Sequence, residues 1–240
     1  MSAQFFFAPH QPGGADICRE AAAPGVSRLP AHSPLESSSF GHLFLRSRTL
    51  KRILDNIVAV SLVLFTLPLM VMIALAIKCD SPGPIFYRQT RVGLNGRHFE
   101  ILKFRSMVEQ AEGDGRPTYA CQGDPRVTRI GRLIRITRMD ELPQLFNVLR
   151  GDMSMVGPRP ERPYFVDSFS KFIPLYAERH SVKPGITGWA QINYRYSASL
   201  AEARVKHVYD LHYVNNFSAF LDLKILLATV GVVVRCDGAR

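Results

Sequence analysis

The residues best suited to chemistry lie in one stretch, Arg138-Met139-Asp140-Glu141-Leu142-Pro143-Gln144. Two carboxylates stand side by side at the end of a run of arginines, and a proline follows two residues after Glu141. On a helix, adjacent side chains diverge by about 100°, so this pair is not placed to share a proton and can instead divide labour. One carboxylate can act as nucleophile or base while the other helps hold a divalent metal or orients the first. A carboxylate nucleophile suits a phosphorus electrophile, because acyl phosphates form and break readily. A pyrophosphate electrophile needs its charge neutralised, which arginine, lysine and Mg²⁺ can do. An isolated Asp-Glu pair is commonplace on protein surfaces. Pro143 sharpens the reading, because it breaks the local hydrogen-bond ladder and fixes how the pair is presented.

Cations that could serve such a reaction lie on both sides. Arg126, Arg129, Arg132, Arg135 and Arg138 recur every third residue. At 100° per residue each step of three drifts by about 60°, so two or three can face a common site while the others meet solvent or lipid headgroups. Upstream, the alternation Phe99, Ile101, Lys103, Arg105 puts these side chains on one face of a strand, with Lys103 and Arg105 about 7 Å apart. That pair reads as a phosphate clamp or as a solvated basic strand. Downstream, Arg159 sits between Pro158 and Pro160. A guanidinium held in a rigid extended loop suits bidentate contact with phosphate or stacking on a base, and a plain structural turn is the alternative.

The whole chain carries the same bias. Its 240 residues include 30 Lys and Arg against 20 Asp and Glu, a net charge of +10. That favours an anionic partner: nucleic acid, an anionic membrane surface or a phosphorylated substrate. The four cysteines, Cys18, Cys79, Cys121 and Cys236, are scattered without metal-ligand spacing, which argues against a zinc site or a disulfide framework. The first residues lack the basic and apolar regions of a secretory signal, and the bulk of the protein reads as facing a reducing cytoplasm.

Three segments must position these groups. Residues 1–44, rich in Pro, Gly, Ala, Ser and His without apolar periodicity, read as a disordered leader. Residues 45–79 hold a basic flank and the 25-residue, nearly uninterrupted apolar run Ile53–Ile77, longer than the roughly 20 residues that cross a bilayer. Basic residues on both flanks give no orientation under the positive-inside rule. Pro68 near the middle predicts a break at Thr66-Leu67-Pro68 and a re-entrant helix that leaves by the face it entered, in preference to a full span. Residues 80–240 read as the catalytic domain. A hairpin turns at Asn95-Gly96, and 109–125 is a loop. Residues 126–149 are largely helical with an interruption near Pro143. Residues 164–180 form an amphipathic helix broken at Pro174, and 182–196 a close-packed loop with glycines. Two more helices follow, the last interfacial or packed rather than spanning. The fold class is therefore mixed α/β, mainly helical and membrane-associated, with one N-terminal re-entrant membrane helix and interfacial amphipathic helices.

Several stretches occur together and in order: KRILD, SPGPIFYRQTRVG, KFRSM, DPRVTRIGRLIR, DELPQLFNVLRGDMSMVGPRP, PGITGWAQIN and LDLKIL. Over roughly residues 48–235 the chain resembles the bacterial sugar transferase family, the monotopic polyprenyl-phosphate phosphoglycosyl transferases, and NYRYSAS resembles its exopolysaccharide-type members. Larger relatives carry several N-terminal membrane helices, so this chain resembles a minimal form. The resemblance implies transfer of a phosphosugar from a UDP-sugar to undecaprenyl phosphate with release of UMP, by a ping-pong route at the cytoplasmic face of a bacterial inner membrane. By the same resemblance Asp140 is the nucleophile, and Glu141 assists, with Mg²⁺ at Asp140 and Glu141. Lys103 and Arg135 contact phosphates, Arg159 contacts the nucleotide, and Arg195 lies near the substrate. Asp222 matches an acid of unassigned role, and Pro68 matches the break in the membrane helix. Membrane lipid is a further expected partner, a homodimer is allowed, and nucleic acid is not expected. Two rivals remain: a membrane-tethered polyanion-binding protein, and a non-catalytic scaffold for polysaccharide assembly.

Overall fold

A computed structural model describes residues 48–109, 124–194 and 200–234. The leader at 1–44, most of the expected loop at 109–125, and Arg195 lie outside the described residues. Helix α1 (Arg48–Asp80) leads into an antiparallel hairpin, β1 (Phe86–Val92) and β2 (His98–Phe104). Then come α2 (Arg129–Ile136), a 3₁₀ turn at Met139–Glu141, α3 (Gln144–Arg150) and the short strand β3 (Ser154–Val156). Helix α4 (Pro163–Phe172), a second 3₁₀ turn (Tyr176–Ser181) and β4 (Gly185–Thr187) follow, and α5 (Trp189–Asn193), α6 (Leu200–Asn216) and α7 (Ala219–Val234) complete the order. This is a mixed, mainly helical chain, as expected.

The hairpin turns where Asn95-Gly96 places it: both residues have positive φ, 53° and 75°, which Asn and Gly tolerate and tight hairpin turns require. Strands β3 and β4 pair in parallel, Ser154 opposite Gly185 and Val156 opposite Thr187. A Cβ on Gly185 would lie 2.1 Å from the backbone nitrogen of Gly157, so only glycine lets these chains approach so closely.

Helix α1 is continuous through Pro68, and the expected break is not an interruption of the helix. Pro68 removes the donor that would meet the Leu64 carbonyl, and one turn earlier the Thr66 hydroxyl donates to the Leu62 carbonyl at 2.7 Å, features that weaken or bend a helix without ending it. One stripe of α1 is buried along its length. Ala59 packs with Leu145, Val148, Met153, Met155, Val156, Tyr213 and Ile225, while Met70, Ile73 and Ile77 pack with Phe104 and Ile134. Both halves therefore rest on the same body. The remaining surface of α1 is apolar and open, with Phe65 83% exposed and Leu64 68%.

The KRILD motif explains how α1 is fastened. The Lys51 ammonium donates to the Val156 carbonyl (3.0 Å) and Asp222 (2.6 Å). Arg52 caps the carbonyls of Val148 and Leu149 at the end of α3 (2.8 and 3.1 Å), and Asp55 accepts from the Met155 amide (3.1 Å). Carbonyls in a last helical turn have no intrahelical partner, so Arg52 does for α3 what solvent would otherwise do.

Candidate active site

Asp140 and Glu141 are presented by a local break placed differently from the expected one. Thr128 caps α2, accepting from the Gly131 amide at 2.9 Å. The helix ends at Thr137, and Arg138 adopts the left-handed conformation (φ 56°) that throws the chain into the 3₁₀ turn. The interruption is therefore at Thr137–Arg138. Pro143 instead opens α3, where its fixed φ suits a helix start. Of the five periodic arginines only Arg129, Arg132 and Arg135 lie on α2, while Arg126 pairs with Asp124.

The two carboxylates have opposite surroundings. Glu141 Oε1 accepts from Lys103 Nζ (3.2 Å) and Arg159 Nη2, and Oε2 accepts from Arg159 Nη1 (3.3 Å). Burial alone would raise the Glu141 pKa, but Arg159 and Lys103 outweigh it and hold the carboxyl well below the ordinary range. Glu141 in turn raises Arg159, whereas burial lowers Lys103 despite Glu141. Asp140 has no hydrogen bond among the described residues. Burial raises its pKa, Lys103 opposes that shift, the Glu141 charge adds to it, and Arg135 and Arg159 oppose it further. Glu141 anchors two cations. Asp140 is an under-coordinated carboxylate beside them.

Each partner is held in place by backbone bonding. Asn147 on α3 is fully buried, accepts from the Leu102 amide (2.9 Å) and donates to the Glu100 carbonyl (2.7 Å). It locks α3 to the free edge of β2, next to Lys103, and so sets the reach from Lys103 to Glu141. The loop bearing Arg159 has four consecutive carbonyls engaged: Pro158 by the Gly185 amide (3.0 Å), Arg159 by Arg179 (2.9 Å), Pro160 by Arg91 (3.2 Å) and Glu161 by the Val92 amide (3.0 Å). Arg179 is buried, meets Asp210 from two nitrogens (3.0 and 2.7 Å) and donates to the Tyr176 hydroxyl (2.9 Å).

Of the residues singled out in the sequence, Lys103, Asp140, Glu141 and Arg159 come together, and Arg135 lies close enough to act electrostatically on Asp140. Arg105 does not pair with Lys103 as a clamp. It follows the end of β2, and its guanidinium bonds Ser81 and Pro82 carbonyls (both 2.7 Å) and the Ser81 hydroxyl (2.8 Å), pinning the turn after α1. Asp222 bonds Lys51 and the Tyr213 hydroxyl (2.7 Å) in a buried tie between α1, α6 and α7. Arg179, Asn147 and Asp210 carry no signal of their own in the sequence, since a lone Arg in Ala177-Glu178-Arg179-His180 shows no pattern, and Arg91 reads there only as part of the basic flank after the apolar run. Arg179→Met, which leaves Asp210 buried without its cation, is expected to cost about 3–5 kcal/mol of stability, read by chemical denaturation, and Arg179→Met with Asp210→Asn should recover part of it.

The dyad suits a hard cation. Asp140 has open oxygens, Glu141 Oε2 takes only one long bond, and Mg²⁺ is commonly held by one or two carboxylates with substrate phosphates supplying the rest. Among the described residues no group of three His, Cys, Asp or Glu could hold a metal without such help.

Comparison of the sequence with known proteins finds relatives. A UDP-N-acetylgalactosamine-undecaprenyl-phosphate N-acetylgalactosaminephosphotransferase of Aeromonas hydrophila is 48% identical over 191 residues, 80% of this chain and 45% of that protein. A UDP-glucose:undecaprenyl-phosphate glucose-1-phosphate transferase of Escherichia coli K12 is 46% identical over 186 residues, 77% of this chain and 40% of that one. The chain thus spans less than half the length of these two relatives. It covers 90% of the uncharacterized sugar transferase EpsL of Bacillus subtilis, at 42% identity over 195 residues and 80% of its own length. The family model described as bacterial sugar transferase matches residues 46–236, the span that holds the dyad, its cations and the α1 anchor, and the chain belongs to that family.

Proposed function

We propose that this chain transfers a phosphosugar from a UDP-sugar to undecaprenyl phosphate, releasing UMP, as a membrane step of exopolysaccharide or glycoconjugate synthesis. The observation that carries the reading is the asymmetry of the dyad. One carboxylate is paired with two cations, and its neighbour is open and basic beside the same cations.

The first half-reaction follows from that asymmetry. Lys103, Arg159 and Arg135 hold the diphosphate against Asp140, whose oxygen attacks the sugar-bearing phosphorus. The bond from that phosphorus to the bridging oxygen breaks, and UMP leaves with the oxygen and its electron pair. In the second half, an oxygen of undecaprenyl phosphate attacks the same phosphorus, the Asp140–phosphorus bond breaks and the free carboxylate returns. Mg²⁺, held by Asp140 and Glu141 with substrate oxygens, would supply charge neutralisation at the diphosphate. Because the two substrates use one site in turn, the small cluster suffices for both.

Helix α1 would place that site at headgroup level. Both halves of α1 pack on one body, which supports a placement with both ends on one face of the membrane and the open apolar side in lipid; that face, in this reading, is the cytoplasmic face of the inner membrane. Leu133 and Ile136 on α2, and Phe220, Leu223, Leu227 and Val230 on α7, are exposed apolar residues that suit interfacial contact. Tags at residues 45 and 100 are expected to report the same, cytoplasmic side in intact cells. Opposite sides would restore a full span.

The decisive assay is UMP release over a panel of UDP-sugars with undecaprenyl phosphate and Mg²⁺. Release with one of them, stopped by a chelator and restored by added Mg²⁺, is the expected outcome. No release from any sugar would favour the polyanion-binding or scaffold readings.

A further inference from the structure

A second cationic site lies away from the dyad. A cavity of about 410 Å³ opens at the N-terminal end of α1, lined by Arg48, Lys51, Arg52, Asp55, Lys183 and Phe217 among others. That volume falls within the range of small-ligand pockets, roughly 300–1,000 Å³. The lining holds four cations and one carboxylate. Lys51 is paired with Asp222 and donates to the Val156 carbonyl, Arg52 donates to backbone carbonyls, and Asp55 is taken by the Met155 amide. Arg48 and Lys183 have no hydrogen-bond or ion-pair partner among the described residues. Burial lowers the Lys183 pKa and Arg52 adds to that, while Asp55 and Asp152 oppose it without forming an ion pair with Lys183.

The position separates this cavity from the reacting carboxylates. Arg52 bonds the carbonyls at the C-terminal end of α3, whereas Asp140 and Glu141 precede its N-terminus. The seven-residue helix between them is about 10 Å long. None of Lys103, Asp140, Glu141 or Arg159 lines the cavity. The cavity instead lies where the apolar run beginning at Ile53 meets the basic flank, the level at which phospholipid headgroups sit if α1 is in a membrane. Phe217 gives it an apolar wall, and the two uncommitted cations come from chain segments far apart in sequence, so the site exists only once the chain folds.

We propose that this cavity binds a phosphate anion, presented by the headgroup of an anionic phospholipid, and so fixes the catalytic body against the bilayer. The proposal rests on the membrane placement of α1 given above and not on the phosphosugar chemistry. The test uses the full chain in detergent micelles containing either phosphatidylglycerol or phosphatidylcholine, without UDP-sugar, read by native mass spectrometry. Selective retention of phosphatidylglycerol is expected, with apparent affinity falling roughly thirtyfold in Arg48→Gln/Lys183→Gln, as two cations near a membrane surface predict. UMP release by that variant in neutral detergent should stay at the wild-type level, which also reports that it folds. Inorganic phosphate provides the other arm: displacement of the lipid by it would keep the anion site but assign it to free phosphate. Equal retention of both lipids, or retention unchanged in the double variant, would overturn the site. Failure of the chain to associate with bilayers of either phosphatidylglycerol or phosphatidylcholine would overturn the membrane placement and the site with it. Absence of UMP release with intact lipid selectivity would sink only the proposed activity.

Discussion

Asp140→Asn is expected to abolish UMP release, a loss of roughly 10⁴-fold or more, because it removes the nucleophile rather than one stabilising contact. The substitution keeps the side chain's size and, since Asp140 makes no hydrogen bond among the described residues, strands no partner. The fold should survive, and it should gain stability at neutral pH. The folded-state pKa of Asp140 is raised, chiefly by burial. Between the ordinary carboxylate value and that raised value the native state binds more protons than the unfolded chain, so stability falls as pH rises through this window. The penalty is fully present above it, and the Asn variant lacks it. Thermal melts should therefore show the variant above wild type at pH 7, with the difference closing as pH drops below the ordinary Asp range. The same shift predicts that the acid limb of the wild-type rate profile lies above that range, because protonated Asp140 cannot attack. Glu141, held ionised by Arg159 and Lys103, would not contribute to that limb.

Glu141→Gln should damage both activity and fold. Its side chain is about one-seventh exposed, and it balances an ammonium and a guanidinium at once. Without the charge, Lys103 and Arg159 repel each other in a site too buried for water to screen them well. Removing one partner of a buried charge cluster typically costs about 3–5 kcal/mol. UMP release should fall by roughly 10²–10³, the scale seen when a preorganised electrostatic group is lost. Thermal denaturation with and without inorganic phosphate checks the cause. Phosphate should stabilise the Gln variant more than wild type, since the anion takes the place of the missing carboxylate. Equal stabilisation of both would mean that the two cations are not what Glu141 holds.

Much of this site was legible in the sequence because it is local. Asp140, Glu141 and Pro143 are near neighbours, Arg159 is marked by flanking prolines, and Lys103 falls on a strand announced by Asn95-Gly96. Distant pairings were harder to read. A three-residue strand shows no periodicity, so the parallel pairing of Ser154–Val156 with Gly185–Thr187 left only its glycines as a trace. Arg105 alternates correctly with Lys103, but the strand ends at Phe104 and the Ser81–Pro82 turn offers carbonyls that claim its guanidinium. Pro143 looked like a breaker because proline cannot continue a helix, although it can begin one. The break came instead from the left-handed Arg138, a conformation no residue-type rule assigns to arginine. Lys51 and Arg52 read as a basic membrane flank and Asp55 as a polar exception in the apolar run, whereas their bonds fasten α1 to the catalytic body.

The central claim is that Asp140 carries the phosphosugar between donor and acceptor. It is tested most directly by incubating the protein with Mg²⁺ and a UDP-sugar that supports turnover, leaving out undecaprenyl phosphate, then measuring UMP and the intact protein mass after a rapid quench. The account predicts a burst of UMP stoichiometric with the protein and a mass increase of one sugar phosphate, mapped to the peptide containing Asp140 and absent in Asp140→Asn. UMP release that strictly requires undecaprenyl phosphate, with no adduct on the protein, would contradict it.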